Sequence, residues 1–466
     1  MAEVAANTCA GCQRLQEQLE QLQAAVARLQ EQLAAARKDS STSSKPPSSD
    51  IVKPSASVAP GGDKRKPGGQ PGHPLHERAL FATEQIDLFL VHPLHGCPCC
   101  GGQLRLNGQE ARIVQQVDLE PAKLTIEQHT CPEYWCVCCE RSYKAALPQH
   151  VTRGGLVGPR LTTLIAYLKG FCHASFSTVR LYLRDVVGVT ISRGQLRKII
   201  AKVSTALDGP YQELLESLPA EPLLNVDETG HKDNGKLMWT WCFRASLFTL
   251  FKIDPHRSAD VLIEVLGKEF NGVLGCDCFS AYRRYMRQFD VTLQFCLAHL
   301  IRDVKFLMTL PGKKEQAYGT ALRDGLRTLF GVIHQREQLP KQEFQRRLEA
   351  ARDGVLRAGQ QDVPSSRHAV AMARRLQKYG EQYFTFVTTP GVEPTNNLAE
   401  QAIRFVVIDR HITQGTRSES GQRWCERIWS VIATCTQQGR SVFEYLHAAV
   451  KAYFGDGPVP SLLAEG

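Results

Sequence analysis

From Asp39 to about Pro74 the chain consists mainly of Ser, Pro, Gly and Lys, in the runs DSSTSSKPPSSD and DKRKPGGQPGHP. Such a stretch has too little apolar surface to offset the entropy lost on ordering it, so no single packed body can run through it. The chain must be modular, with something short before this linker and larger units after it. At 466 residues, 43 % apolar and 22 % charged, it has material for about three packed domains. The densest apolar region, Met238 to Phe251, is broken by Arg244 and Ser246, and the opening MAEVAANTCAGCQ has no basic-then-apolar signal pattern. The expectation is a cytoplasmic protein that neither spans a membrane nor is exported.

Before the linker, Leu15, Leu19, Leu22, Val26, Leu29 and Leu33 repeat at alternating steps of four and three. That is the a/d spacing of a coiled coil, and also of one amphipathic helix docked on its own protein. Cys9 and Cys12 precede it without a second pair and read as incidental thiols. Within the linker, Lys64, Arg65 and Lys66 followed by glycines form the kind of basic arm that lies along a DNA backbone or in a minor groove.

Seven of the sixteen cysteines fall between Cys97 and Cys139. In a reducing compartment, paired cysteines more often hold metal than disulfides. Cys97 with Cys100, and Cys136 with Cys139, are two CxxC pairs able to present four thiolates to one structural zinc ion. Strand-like runs between them, QVDLEP and KLTIEQHT, predict a small zinc ribbon, although Cys99, Cys131 and Cys138 leave room for a shifted ligand set.

Residues 151–205 hold nine Lys/Arg against one acid, Asp185. They read as an amphipathic helix, a turn at Gly188-Val189 and a basic helix capped by Ser192, a helix-turn-helix pattern. Arg193, Gln195, Arg197 and Lys198 would then face a DNA major groove. A solvated helix face is the plainer reading of the same charges.

The second half alternates strand-like and helical runs, which predicts an α/β unit. LLNVDETG reads as an apolar strand ending in Asp227, GVLGCDCFSAY as a second ending in Asp277, and TNNLAEQAIRFVVI as a helix with Glu400 near its start. Three such carboxylates are what a pair of hard divalent cations requires, Mg2+ or Mn2+. Taken singly, each aspartate also fits a turn cap, and Glu400 fits an ion pair with Arg404.

The ordered set SSKPPSSD, KPGGQPGHP, CPCCGG with its later CxxC, NVDETGHK, DCFSAY, CLAHLIRD, TNNLAEQAIR and FEYLHAAV resembles the bacterial insertion-sequence-sixty-six family of transposases, over most of the chain. The resemblance implies an RNase H-like core whose Asp-Asp-Glu triad falls on Asp227, Asp277 and Glu400. His299 and Asn397 would support the site, and Arg404 and Arg410 match basic positions that touch DNA. The family usually has glycine where this chain has Asp409.

The fold expected on this reading is multidomain α/β: a coiled coil (12–38), a flexible basic linker (39–78), a zinc ribbon (79–150), a helix-turn-helix (151–210), and an RNase H-like core in two parts (220–311 and 392–452) around a helical insertion (312–391). The expected function is a DNA transposase that cleaves the ends of its insertion sequence and joins them to target DNA, using two Mg2+ or Mn2+ ions and one structural zinc. Double-stranded DNA, a homodimer or higher oligomer and small accessory proteins of the same element are the expected partners, with the protein on the nucleoid. The rival is a DNA-binding regulator descended from a decayed transposase. All three carboxylates are present, which speaks against decay.

Overall fold

The computed structural model describes residues 10–36, 38, 80–92, 95, 98–103, 105, 113–117 and 124–463. They fall into two compact units, one drawn from 55–126 and the other from the remainder. In the smaller unit, a single helical turn at Thr83–Gln85 is accompanied by an amide clamp: Phe81 N donates to Gln115 Oε1 (2.7 Å) and Gln115 Nε2 donates to Phe81 O (3.1 Å). Lys64, Arg65, Lys66 and Cys97 lie outside the described residues.

The larger unit contains a first helix, α1 (Ala10–Ala36), whose leucine row is exposed, from 67 % at Leu15 to 51 % at Leu33. The helix is as anticipated, but no second helix covers that row among the described residues. Strands β1 (Glu133–Cys136) and β2 (Arg141–Lys144) form an antiparallel hairpin around the second CxxC. Of the strands expected earlier, QVDLEP falls mostly outside the described residues, and residues 124–130 of the second join no ladder; the hairpin instead crosses the tight turn between Cys136 and Arg141.

Five helices follow: α2 (Gln149–Gly154), α3 (Pro159–Gly170), α4 (Phe176–Tyr182, prolonged by a π turn to Val187), α5 (Arg193–Ala206) and α6 (Asp208–Ser217). Gly188 ends the π turn at φ 81°, and Ser192 caps α5 by accepting from Gln195 N (3.2 Å), both where the sequence indicated. α5 buries Leu196, Ile199, Ile200 and Val203 and leaves Arg193, Arg197 and Lys198 outward.

Next come β3 (Leu223–Asp233), β4 (Lys236–Arg244), β5 (Thr249–Asp254), α7 (Ala259–Leu266), β6 (Val273–Cys276), α8 (Ser280–Phe289), β7 (Thr292–Phe295) and α9 (Leu297–Thr309). The strands form one mixed sheet in the order β5-β4-β3-β6-β7, antiparallel among the first three and parallel from β3 to β7. Asn234 and Gly235, at φ 48° and 81°, make the two-residue turn that joins β3 to β4, as Asn-Gly does in primed hairpins. β3 therefore does not end at Asp227, as the sequence led one to expect. It runs six residues further because β4 pairs with it to Asp233, while its pairing with β6 stops at Asn225.

Residues 312–391 are helical: α10 (Lys313–Ile333), α11 (Lys341–Ala358), α12 (Arg367–Tyr383) and α13 (Thr385–Thr388). The chain closes with α14 (Asn397–Thr413), α15 (Glu419–Gln437) and α16 (Val442–Gly455). α14 packs on β3 and β4, and α3 and α5 pack on α15 and α16, so the basic helices share their packing with the end of the chain. Trp241, Phe243, Phe251, Tyr282, Phe295 and Trp429 are fully buried in the continuous core.

The outer edge of β5 is met by side chains of α15. Ile253 N donates to Glu426 Oε1 (2.7 Å), Phe251 N to Ser430 Oγ (2.9 Å) and Thr249 N to Thr434 Oγ1 (3.1 Å). Four helical residues rise about 6 Å and two strand residues about 6.6 Å, so rungs one helical turn apart stay in step with every second strand residue. Ser430→Ala leaves the Phe251 amide buried without an acceptor. It should cost about 1–3 kcal/mol, read as a lower urea midpoint at unchanged slope.

Candidate active site

Beyond Asn225 the β6 side of β3 is free, and Asp227 stands two residues past the last pair. Asp277 directly follows β6, and Glu400 lies in the first turn of α14. The three carboxylates converge. Asp227 is pushed well above its ordinary pKa by burial first, then by the charges of Glu228, Asp277 and Glu400, against one hydrogen bond from the Glu228 amide. Like charges in a low-dielectric pocket cannot all ionise without a counter-charge. Asp277 does cap its own turn, accepting from Phe279 N at 2.9 Å.

Glu400 is not paired with Arg404. Its neighbours come from α9: His299 Nδ1 at 3.7 Å and Arg302 at 3.5 Å. Glu400 Oε1 and His299 Nδ1 are both buried with no hydrogen-bond partner, and burial pulls His299 below its ordinary pKa. Cys296, His299 and Glu400 each bring one donor atom within 4.8 Å of the others. Unpartnered lone pairs beside crowded carboxylates suit a cation, and the oxygen donors suit a hard one.

α14 is held in place by Asn396. Its Oδ1 accepts from Asn225 Nδ2 (2.9 Å), its Nδ2 donates to Val226 O (2.8 Å), and its amide donates to Cys296 Sγ (3.1 Å). Gly275, opposite Asn225 in the ladder, makes room for this: a Cβ there would lie 2.5 Å from Asn225 Nδ2. Asn397, the residue singled out from sequence, is exposed. The phasing held the answer, since Asn396, Ala399, Ile403 and Val406 recur at helical spacing as the buried face, while Asn397, Gln401 and Arg404 form the outer one.

Glu228 alternates with Asp227 and points the other way. Arg257 Nε donates to its Oε1 (2.7 Å) and the buried Tyr282 hydroxyl to its Oε2 (2.5 Å). Arg257 in turn lies over the rings of Phe279 (3.9 Å) and Trp239 (4.8 Å). This clamp joins β3 to the segment after Asp277, and no motif in the sequence marks it.

With this geometry in view, the comparisons with known proteins are decisive. The sequence model described as "Transposase IS66 family" matches residues 154–423, more than half of the chain. The chain belongs to this family. A second, "zinc-finger binding domain of transposase IS66", matches 95–140, and a family of unknown function (DUF6444) matches 3–79. Similar proteins include the uncharacterized y4jD of Sinorhizobium fredii, 23 % identical over 77 % of this chain and 75 % of its own length. The uncharacterized y4hP of the same organism is 23 % identical over 80 % and 73 %.

The other residues proposed for this IS66-family chain are distributed as follows. Arg404 is exposed on α14. Arg410 is half-buried and bound to β3, donating to Thr229 Oγ1 (3.0 Å) and to Gly230 O. Asp409 is buried against His173 Nδ1 (3.0 Å) and so ties α14 to the loop between α3 and α4. Arg193 donates to Ser177 Oγ (2.6 Å), Gln195 is half-buried, and Arg197 and Lys198 are exposed. Lys202 and Arg153 of the same basic block are spent internally, on Gly154 O (3.0 Å) and Asp456 (3.0 Å). In the CxxC hairpin the amides of Cys139 and Cys138 and the thiol of Cys139 lower the Cys136 thiol below its ordinary pKa, and Cys139 Sγ lies 3.2 Å from Tyr143 OH. Cys100 is exposed in the smaller unit.

Asn396→Ala should lower stability by about 1–3 kcal/mol by leaving the Asn225 amide and Val226 carbonyl unpartnered. Asn397→Ala should stay within about 0.5 kcal/mol of wild type. Equal effects in urea titrations would refute the assignment.

Proposed function

We propose that this chain is a DNA transposase with an RNase H-like core: it binds the ends of its insertion sequence, cleaves them hydrolytically and joins the 3′-hydroxyl ends to target DNA. The observation that carries the reading is the convergence of Asp227, Asp277 and Glu400 at the point where β3 outruns β6. The strand order, three antiparallel strands followed by two parallel ones, supports the core assignment. Asp227, Asp277 and Glu400 would hold two Mg2+ or Mn2+ ions. Bound there, such ions supply Lewis acidity to the attacking and leaving oxygens of an in-line displacement. Asn396 sets the angle of α14, and hence where the Glu400 carboxylate stands. His299, whose pKa burial lowers, presents Nδ1 to Glu400 at 3.7 Å, and Arg302 lies 3.5 Å from the second oxygen.

The outward residues Arg193, Arg197 and Lys198, with Gln195 beside them, form the recognition surface for the ends, and α3 to α5 are the helix-turn-helix. Lys64, Arg65 and Lys66 add a basic arm. The exposed leucine row of α1 pairs two chains as a coiled coil, giving a dimer or higher oligomer on the nucleoid, with small proteins of the same element as accessories. Cys97, Cys100, Cys136 and Cys139 hold the structural zinc, a reading supported by the zinc-finger match over 95–140 and by the amides turned toward the Cys136 thiol.

Asp227→Ala, Asp277→Ala and Glu400→Ala should each keep gel-shift binding to end DNA and lose Mg2+- or Mn2+-dependent nicking and joining. Asp233→Ala is the matched control. Wild-type protein that binds paired ends but never cuts them, with accessory proteins supplied, would favour the regulator. A Glu400 variant that cuts normally would place the third carboxylate elsewhere.

Protein purified without added metal should carry about one zinc per chain by elemental analysis, and Cys136→Ser should lower that content. Metal-free protein with an unchanged fold would refute the structural site.

A further inference from the structure

The arginines of residues 312–391 are not alike. On α10 and α11 four are answered by acids of their own helix: Arg323 by Asp324 (3.0 Å), Arg346 and Arg347 by Glu343 (2.8 and 2.6 Å), and Arg352 by Asp353 (2.9 Å), whereas Arg327 and Arg357 are exposed with no acid paired to them among the described residues. On α12, Arg367, Arg374 and Lys378 are exposed at steps of seven and four, which places them along one helical face about 16 Å long. Among the described residues no acid pairs with any of the three, and the ion pair on this helix belongs to Arg375, which meets Asp303 at 2.8 Å.

Arg283 and the exposed Arg287, one turn apart on α8, continue this surface. The Arg283 guanidinium lies 5.6 Å and Lys378 Nζ 5.3 Å from the centre of the Tyr379 ring, so one aromatic side chain binds the two helices' cations together. Burial alone would raise the Tyr379 hydroxyl, yet Arg283 and Lys378 hold it below its ordinary pKa, a mark of concentrated positive charge. Nε of Arg283 and Nε of Arg375 are buried without an acceptor. The surface also leads to the carboxylates: α8, which carries Arg283 and Arg287, begins at Ser280, three residues after Asp277.

Unpaired cations and unmatched donors at the mouth of a carboxylate site complement a polyanion. With a phosphate every ~3.4 Å of axis on each strand, the ~6 Å between Arg374 and Lys378 spans about two phosphates of one strand. We propose that Arg287, Arg374 and Lys378, backed by Arg283, form a phosphodiester track that carries duplex DNA across the α8–α12 face to Asp277; the transposase reading supplies only the identity of the polyanion. The track lies on different helices from Arg193 and Arg197, and it makes the helical insertion part of the DNA-binding surface.

The test is the affinity of the full-length protein for a duplex of arbitrary sequence, measured by fluorescence anisotropy across a salt series. Arg287→Gln with Arg374→Gln and Lys378→Gln should weaken binding about ten-fold or more at moderate salt and flatten the log–log salt slope by about 2–3, close to one for each phosphate that is no longer neutralised. Arg346→Gln with Arg347→Gln, equally basic but internally paired, should change neither. If circular dichroism shows that the triple variant does not fold, Lys378→Gln alone should still flatten the slope by about one. An unchanged slope overturns the track. Nicking assays separate the two readings: a flattened slope in a protein that never cuts sustains the track and removes the catalytic reading, while an unchanged slope in a protein that cuts does the reverse.

Discussion

A five-stranded sheet has two edges, and each presents backbone donors and acceptors that must find water, a partner or a cover. Here both edges are covered by side chains. Along β5, Glu426, Ser430 and Thr434 supply acceptors at every turn of α15, and Gln437 Nε2 closes the end of the row at Ala245 O (2.8 Å). Along β7, Thr385 Oγ1 donates to Leu293 O (2.6 Å), while Gln294 bridges Tyr383 O (3.0 Å) and the amide of Phe386 (2.9 Å). The helical insertion thus ends by covering one edge, and α15, which follows the helix bearing Glu400, covers the other. The position of the carboxylates depends on this closure.

Inside that frame the site follows from unequal strand lengths. β3 is held by β4 along its whole length but by β6 only to Asn225, so Asp227 emerges where β6 has given way to Asp277. The third carboxylate arrives on a helix from elsewhere in the chain, and its placement rests on Asn396 and on the missing Cβ of Gly275. A crowded set of acids and an unpartnered imidazole nitrogen leave the folded protein short of positive charge at this point. A cation answers that directly.

Much of this was legible in the sequence, for physical reasons. Apolar runs ending near aspartates located β3 and β6, and the Ser192 cap and Gly188 turn were readable because capping and left-handed backbone demand few residue types. What failed depended on partners distant in the chain. The end of β3 was misjudged because β4, not local sequence, sets it. Asn396, which fastens α14, stands beside Asn397 in the same motif, and only helical phase separates the buried residue from the exposed one. The Glu228–Arg257–Tyr282 clamp joins residues whose spacing obeys no period. The second strand expected between the CxxC pairs looked right by composition, yet residues 124–130 join no ladder and the observed hairpin spans the second pair.

The ladder that covers β5 also has a consequence in time. About 180 residues separate Asp254 from Gln437, and at five to twenty residues per second their synthesis takes roughly ten to forty seconds. Throughout that interval a nascent β5 has no α15 to meet its amides, and neighbouring ribosomes on one message present the same uncovered edge to one another. The rungs supplied by Glu426, Ser430 and Thr434 thus mark the point in translation after which the sheet can no longer recruit a foreign strand.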